Sequence, residues 1–160
     1  MTSPGRGDKS MAHNFTNLLT HVIFSTKDRA PSIKPDLKAD LHAYMGGIVR
    51  KIDGKAVIVD GTCDHVHLLL WMPPTLSISE TLRVLKSNSS RWVNQERGQR
   101  PAFAWQTGYG AFSVSHSSVP TVVKYIRGQE EHHKKVSFQE EFVSFLKKNG
   151  IDYDERYIWE

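Results

Sequence analysis

Cysteine is almost absent from this chain of 160 residues, which contains only Cys63. A single cysteine excludes a framework of disulfide bonds and a structural zinc module built from four cysteines. Long hydrophobic runs are also missing, because the longest, residues 66–72, is far too short to cross a bilayer. Residues 1–10 are polar and lack the apolar stretch of a secretory signal. These absences predict a soluble, cytoplasmic protein with no membrane partner.

The length excludes the larger enzyme folds, since a (β/α)₈ barrel needs about 250 residues. Hydrophobic residues make up 39% of the chain and charged residues 24%, which is typical of a globular protein that can bury a core. Residues 1–12 contain Pro4, Gly5 and Gly7 and show no apolar periodicity, so we expect a disordered lead there. Residues 13–160 are then expected to form a single domain.

Hydrophobic periodicity predicts four strands and four helices after residue 12. The expected strands cover residues 15–25, 56–59, 63–72 and 111–116, and the expected helices begin at Pro35, Ser77, Ser118 and Phe138. The third of these helices should run to about His133. The order strand, helix, strand, strand, helix, strand is that of a ferredoxin-like βαββαβ fold of the α+β class. It predicts an antiparallel sheet with helices packed on one face, followed by C-terminal helices.

Two histidines separated by one residue, His65 and His67, lie in the third expected strand. Side chains alternate along a strand, so both imidazoles should share one face while Val66, Leu68 and Leu70 point into the core. Two imidazoles in this arrangement can bind one metal ion. The alternative is a pair of half-exposed strand histidines without a function, and the spacing alone leaves both interpretations open.

Cys63 would share the face of the histidines if the strand began that early. This allows a second metal hypothesis, a small zinc hydrolase that uses Cys63, His65 and His67 as ligands. Three consecutive ligands on one strand face would crowd one side of the ion, and a lone cysteine is more often a small buried hydrophobe. We therefore rank this hypothesis lower.

Tyr125 and Gln129 are four residues apart in the third expected helix, so the phenol and the amide should lie on one face. Gln129 offers a carbonyl oxygen as a third metal ligand beside two histidines, and His132 could substitute or assist. A tyrosine can act as a covalent nucleophile on a group that a metal ion polarises. The alternative is an ordinary amphipathic helix with a partly buried tyrosine.

Positive charge is concentrated in residues 83–101, where five basic residues accompany Glu96 alone. This local excess equals the net charge of the whole chain, +4. Basic, hydroxyl and amide side chains gather opposite the apolar stripe of the second helix, and such a face suits the phosphate backbone of a nucleic acid. A solvated helix face is the alternative. Together with basic residues beside Tyr125, the expected contacts are Arg83, Lys86, Ser87, Ser90, Arg91, Asn94, Lys124 and Arg127.

In combination, these features resemble the single-tyrosine HUH transposases, which move insertion sequences as single-stranded DNA. The resemblance rests on the His65-Val66-His67 strand, on residues 125–129 and on the ferredoxin-like order. Further matching segments are residues 21–27, 85–90, 103–115, 129–133 and 153–157. Each motif is weak alone, but their occurrence in order from about residue 13 onward is specific.

The resemblance implies a mechanism and partners. A divalent ion, Mg²⁺ or Mn²⁺, would be held by His65, His67 and Gln129, and Tyr125 would attack the scissile phosphate to form a 5′-phosphotyrosine. Members of this family act as dimers on subterminal hairpins in single-stranded DNA, so a homodimer with a shared active site is expected. The alternative is a catalytically silent protein, derived from a transposase, that binds structured DNA.

Overall fold

The computed structural model describes residues 13–98 and 100–160, and the expected disordered lead, residues 1–12, lies outside this part of the chain. Single turns of 3₁₀ helix occur at Lys27–Arg29 and His116–Ser118. The strands and helices are β1 (Leu19–Ser25), α1 (Pro35–Lys51), β2 (Lys55–Gly61), β3 (His65–Trp71), α2 (Ile78–Arg97), β4 (Gly110–Val114), α3 (Val119–Arg127), α4 (Gln129–His132) and α5 (Phe138–Lys148). Within the described ranges, none of the helices is long and apolar enough to span a membrane.

The four strands form one antiparallel sheet in the order β2-β3-β1-β4. This order and the alternation of strands and helices confirm the predicted ferredoxin-like α+β fold. The register between β1 and β3 places Ile23 opposite His67 and Ser25 opposite His65. Both histidines therefore lie on an interior strand of the sheet, β3, which is hydrogen-bonded on both sides.

One face of the sheet packs against α1 and α2, where the main core lies. Leu37, Leu41 and Met45 repeat at helical spacing along α1 and are fully buried against Leu68 and other residues of β3. Burying each such side chain contributes about 1.5–3 kcal/mol. Helix α2 begins where the sequence predicts, since the hydroxyl of its N-cap residue, Ser77, accepts a hydrogen bond from the backbone N–H of Glu80.

The opposite face of the sheet, which carries His65 and His67, is covered by the C-terminal helices. Ile126 of α3 packs against Leu69, while residues of α5 pack against Ile23. The start predicted for the last helix, Phe138, is confirmed, and Ser137 and Glu140 form a capping box there. The sequence predicted these helices without placing them, and their position turns both histidines into fully buried residues.

The prediction of one continuous helix from Ser118 to about His133 is wrong. The chain leaves the helical conformation at Gly128, which has φ −89° and ψ 16° and separates α3 from α4. The backbone N–H of Gly128 still donates to the carbonyls of Lys124 and Tyr125, at 3.1 and 3.2 Å. Glycine is a poor helix former by about 1 kcal/mol relative to alanine, so a break is favoured here. Tyr125 and Gln129 thus lie on two short helices rather than on one.

Candidate active site

Histidines of β3 meet side chains of α4 and α5 in a buried cluster. Nε2 of His65 lies 3.1 Å from Oε1 of Gln129, and Nε2 of His67 lies 2.9 Å from Oε1 of Glu141. His133, which follows α4, places its Nε2 2.9 Å from the Gln129 oxygen and 3.1 Å from the Glu141 oxygen. We call His65, His67, Gln129, His133 and Glu141 the donor cluster.

The donor cluster has the chemistry and the dimensions of a metal site. One ligand atom from each of His65, His67, His133 and Glu141 lies within 4.8 Å of the others. Ligands about 2 Å from a shared ion lie up to roughly 4 Å apart, so only small side-chain adjustments are needed to bind one. Imidazole nitrogens with carboxylate and amide oxygens suit Mn²⁺ and related divalent ions.

The hydrogen bonds of His65 turn its outer nitrogen toward a cation. Nδ1 of His65 lies 2.7 Å from the Asp64 carboxylate and 3.0 Å from the hydroxyl of Thr62. Burial would raise the pKa of Asp64, but the hydrogen bonds from His65 and Thr62, together with the neighbouring imidazoles of His65 and His133, outweigh it and lower that pKa, so Asp64 is an ionised acceptor. When Nδ1 donates to this carboxylate, Nε2 is an acceptor that faces the acceptor oxygen of Gln129. A cation between the two would satisfy both atoms.

A second imidazole supports His67 from behind. Nε2 of His21, on β1, lies 2.8 Å from Nδ1 of His67, and both rings are buried. Burial, with the nearby His67, lowers the pKa of His21 to about 3, so His21 is neutral and can accept a hydrogen bond. When His67 donates from Nδ1, its Nε2 presents a lone pair to the donor cluster, which is the arrangement of a metal-binding histidine.

Tyr125 lies at the edge of the donor cluster in the same chain. Its hydroxyl donates a hydrogen bond to Oε2 of Glu141, and Nε2 of His132 lies 3.4 Å from the hydroxyl oxygen. Burial, together with the neighbouring Glu141 carboxylate, raises the pKa of Tyr125. The hydroxyl is therefore protonated near neutral pH, and it needs a neighbour that accepts its hydrogen.

Glu141 and His133 are the two donors that the sequence interpretation missed. Glu141 occupies a position on the buried face of α5, between Phe138 and Phe142, where the periodicity calls for an apolar residue. A charged residue in an apolar stripe was the available signal. For His133 there was none, because the break at Gly128 brings Nε2 of His133 to Oε1 of Glu141 and leaves the predicted His132 beside the other oxygen, Oε2, at 3.2 Å.

Cys63 does not join the two histidines. β3 begins at His65, so Cys63 lies before the strand and its side chain is exposed. Among the described residues, the group of ligand atoms that could share an ion does not include its sulfur. Partial desolvation of its thiol by neighbouring atoms and the nearby Asp64 raise the pKa of Cys63, which disfavours the thiolate that zinc requires. The structure gives no support to a zinc site of Cys63, His65 and His67.

The chain resembles known transposases along most of its length. A family model described as "Transposase IS200 like" matches residues 14–129. The chain belongs to the IS200-like transposase family. The transposase for insertion sequence element IS200 of Salmonella typhimurium is 30% identical over 136 residues, which cover 79% of this chain and 86% of that protein. The Salmonella typhi transposase gives the same values.

Two solved structures share the fold of this IS200-like transposase. One is a protein of Deinococcus radiodurans R1, provisionally named a transposase, with a TM-score of 0.61, 24% identity, and coverage of 76% of this chain and 97% of that one. The other is a REP-associated tyrosine transposase bound to a REP hairpin, with a TM-score of 0.58, 13% identity, and coverage of 80% and 75%. The match of the family model ends at Gln129, before His133 and the whole of α5.

The basic face of α2 in this transposase contains some side chains that are exposed and others that bond to the neighbouring backbone. Arg83, Ser87 and Arg91 are exposed, and Arg83 pairs with Glu80. Ser90 is half-buried and donates within the helix. Away from α2, Lys124 and Arg127 are exposed on α3. A groove of about 450 Å³ lies between α2 and the segment of residues 104–109.

Lys86 and Asn94 hold the segment that follows α2. The Lys86 ammonium donates to the backbone carbonyls of Gln106, Thr107 and Gly108. The Asn94 amide donates to the carbonyl of Phe103 and accepts from its N–H. Burial lowers the pKa of Lys86 to about 8, so this lysine is still largely charged at neutral pH. Both side chains therefore have structural partners in the absence of DNA.

Single replacements of Arg91 and Lys86 should distinguish an exposed side chain that binds DNA from one that stabilises the fold. Arg91→Gln should leave the free energy of unfolding unchanged within about 0.5 kcal/mol and lower the salt slope of DNA binding by roughly one counterion. Lys86→Met should lower the free energy of unfolding by about 1–3 kcal/mol, because three carbonyls lose their donor. Thermal unfolding and fluorescence anisotropy over a salt series measure both. An unchanged salt slope in Arg91→Gln would show that the exposed face of α2 is a solvated surface that does not contact DNA phosphates.

Proposed function

We propose that this transposase cleaves and rejoins single-stranded DNA at hairpins through a 5′-phosphotyrosine formed on Tyr125. One observation supports this most directly: the Tyr125 hydroxyl lies beside a buried donor cluster that includes His65, His67 and Gln129. A tyrosine next to divalent-ion ligands is the minimum that a tyrosine-dependent phosphoryl transfer requires.

Each residue of the site then has a defined task. His65, His67 and Gln129 would hold Mg²⁺ or Mn²⁺, which when bound polarises the scissile phosphate as a Lewis acid. Tyr125 attacks the phosphorus, so an O–P bond forms to the phenol oxygen and the bond to the 3′ oxygen breaks. The phenol gives up its proton in this step, and the 3′ oxygen takes one up and leaves as a 3′-OH. The phosphotyrosine ester retains the energy of the broken phosphodiester bond. A 3′-OH from another strand can therefore attack this ester and join new ends without ATP.

The proposed substrate is single-stranded DNA that carries subterminal hairpins. The solved REP-associated transposase is bound to a REP hairpin, which is consistent with this class of substrate. The exposed Arg83 and Arg91 on α2 and the exposed Lys124 and Arg127 on α3 supply positive charge for phosphates. We expect these contacts to position the DNA without reading its sequence.

The test is covalent trapping. A hairpin oligonucleotide with a single-stranded flank, labelled at its 5′ and 3′ ends in separate samples, is incubated with the protein and Mn²⁺ and run on a denaturing gel. The fragment on the 5′-phosphate side should migrate with the protein, and EDTA should prevent it. Tight hairpin binding without an adduct would instead identify a catalytically silent, transposase-derived protein that binds structured DNA.

A homodimer with shared active sites stays a prediction from the resemblance, since the structure assembles Tyr125 with the histidines of its own chain. Sharing requires α3 and α4 to leave together, which breaks the contact between Tyr125 and Glu141. Inactive Tyr125→Phe protein is mixed with inactive His65→Ala/His67→Ala protein under conditions of subunit exchange. Shared sites should restore cleavage, because one site then has both histidines and a tyrosine. No restoration would show that each chain uses its own site.

A further inference from the structure

The proposed function leaves Glu141 of α5 without a task. This side chain is only 2% exposed and lies on the apolar face of the helix. Taking a carboxylate out of water costs several kcal/mol unless partners compensate, so a charge at this position requires an explanation. Both carboxylate oxygens contact side chains of the candidate active site, namely His67, His133 and Tyr125. These contacts are what can explain a carboxyl group at this buried position.

The two oxygens of Glu141 face different parts of the site. Oε1 lies 2.9 Å from Nε2 of His67, 3.1 Å from Nε2 of His133 and 3.8 Å from Nε2 of His65. Oε2 accepts the hydrogen bond of Tyr125 and lies 3.2 Å from Nε2 of His132. One oxygen thus points among the metal donors, and the other points at the nucleophile.

In the absence of DNA, the chemistry of the other donors favours this carboxylate as a ligand. His65, His67 and His133, once deprotonated as metal binding requires, offer neutral atoms, as does Gln129, whereas Mg²⁺ and Mn²⁺ prefer oxygen ligands and usually bind at least one carboxylate. The carboxylate of Asp64 faces Nδ1 of His65, on the far side of the ring. Within the described residues, Glu141 is the one carboxylate grouped with these donors. Without it, a doubly charged ion would be buried among neutral ligands.

We propose that Glu141 binds the divalent ion through Oε1 while it holds the Tyr125 hydroxyl through Oε2. The C-terminal helix α5 then ties the nucleophile to the metal centre through one rigid group. Two oxygens on one carbon fix the distance between the phenol and the ion, and such preorganisation is worth more than either contact alone. This inference rests on the proposed function, and it adds a residue beyond the segment that the family model matches.

The competing explanation is that Glu141 only neutralises buried histidines. Both explanations predict that Glu141→Gln lowers stability, so stability does not separate them. Metal affinity does, because a carboxylate that only supports the histidines would change the affinity for Mn²⁺ by no more than the roughly 10–100-fold of an outer-shell partner.

Mn²⁺ affinity is measured by isothermal titration and by the EPR signal of free Mn²⁺, without DNA. Glu141→Gln keeps the size of the side chain, and we expect it to weaken Mn²⁺ binding by more than about a hundredfold, beyond the 10–100-fold that outer-shell partners of a metal contribute. Glu140→Gln is the matched control on the same helix. Its side chain is exposed, and an amide still serves the capping box with Ser137, so its affinity should equal that of the wild type.

The contact with Tyr125 has its own readout. In protein labelled at the tyrosine ¹³Cζ position, the resonance that disappears in Tyr125→Phe identifies Tyr125. This resonance should shift in Glu141→Gln and on binding of the diamagnetic ion Mg²⁺ to the wild type, and it should stay in place in Glu140→Gln. An unmoved resonance in Glu141→Gln would overturn the role of Oε2.

Crystals of the wild type soaked with Mn²⁺ keep the inference falsifiable if Glu141→Gln does not fold. An anomalous peak about 2.0–2.2 Å from a Glu141 oxygen supports it, and a peak among the histidines with Glu141 beyond bonding distance overturns it. Equal Mn²⁺ affinities of the wild type and Glu141→Gln also overturn this inference alone. No Mn²⁺ binding by the wild type would overturn the proposed function as well.

Discussion

Tyr125→Phe should abolish the covalent adduct with hairpin DNA and lower cleavage by at least about a thousandfold, because the attacking oxygen is lost. The ring remains, and it packs edge-on against Phe145 and His67, so the fold should persist. Mn²⁺ affinity and hairpin affinity should stay within about twofold, since neither the donors nor the basic face of α2 changes. Denaturing gels measure the adduct, and titrations measure the two affinities.

Three other tyrosines serve as controls for this prediction. Tyr109 and Tyr157 are exposed, and Tyr153 is a partly buried residue of the apolar cluster that contains Phe142 and Trp159. Their phenylalanine variants should form the adduct at the rate of the wild type. An adduct that survives in Tyr125→Phe and disappears in one of these variants would contradict the assignment of the nucleophile.

Replacing both strand histidines should have the second largest effect. His65→Ala/His67→Ala removes two of the proposed ligands and should lower Mn²⁺ affinity and cleavage by at least about a hundredfold. Hairpin affinity should change little, because α2, which carries the exposed basic residues, packs on the face of the sheet opposite the two histidines. Isothermal titration with Mn²⁺, the cleavage rate and anisotropy with labelled hairpin test the three parts separately.

This double variant also removes partners of the buried Glu141. Breaking a buried ion pair costs about 3–5 kcal/mol, so thermal unfolding must accompany the assay. His65→Gln and His67→Gln, tested singly, keep a polar group in place and limit this loss. His116→Ala is the surface control, because His116 is exposed and its ring lies 3.4 Å from the side-chain amide of Asn17. Undiminished cleavage in the double variant would contradict the metal assignment.

The sequence by itself determined the fold and the first half of the site. Periods of two and of about 3.6 residues are local properties, so the strands, α1 and α5 follow from them. The same alternation places His65 and His67 on one face and Val66 in the core, as the structure shows. The spacing of Tyr125 and Gln129 brings both to the cluster even though Gly128 breaks the helix, because the turn at Gly128 keeps hydrogen bonds to the preceding carbonyls.

Only the tertiary structure decided what surrounds these residues. Gln129 contacts a histidine 64 positions earlier, and Glu141 contacts one 74 positions earlier, so no local pattern records either pairing. Which face of the sheet α5 covers depends on long-range packing of its apolar residues against Ile23. The same packing places Glu141, a charged residue on the apolar face of α5, beside the histidines and makes it a candidate metal ligand. It also separated Lys86, whose charge is held by three backbone carbonyls, from the exposed Arg91, since a helical wheel shows direction but not the neighbouring loop.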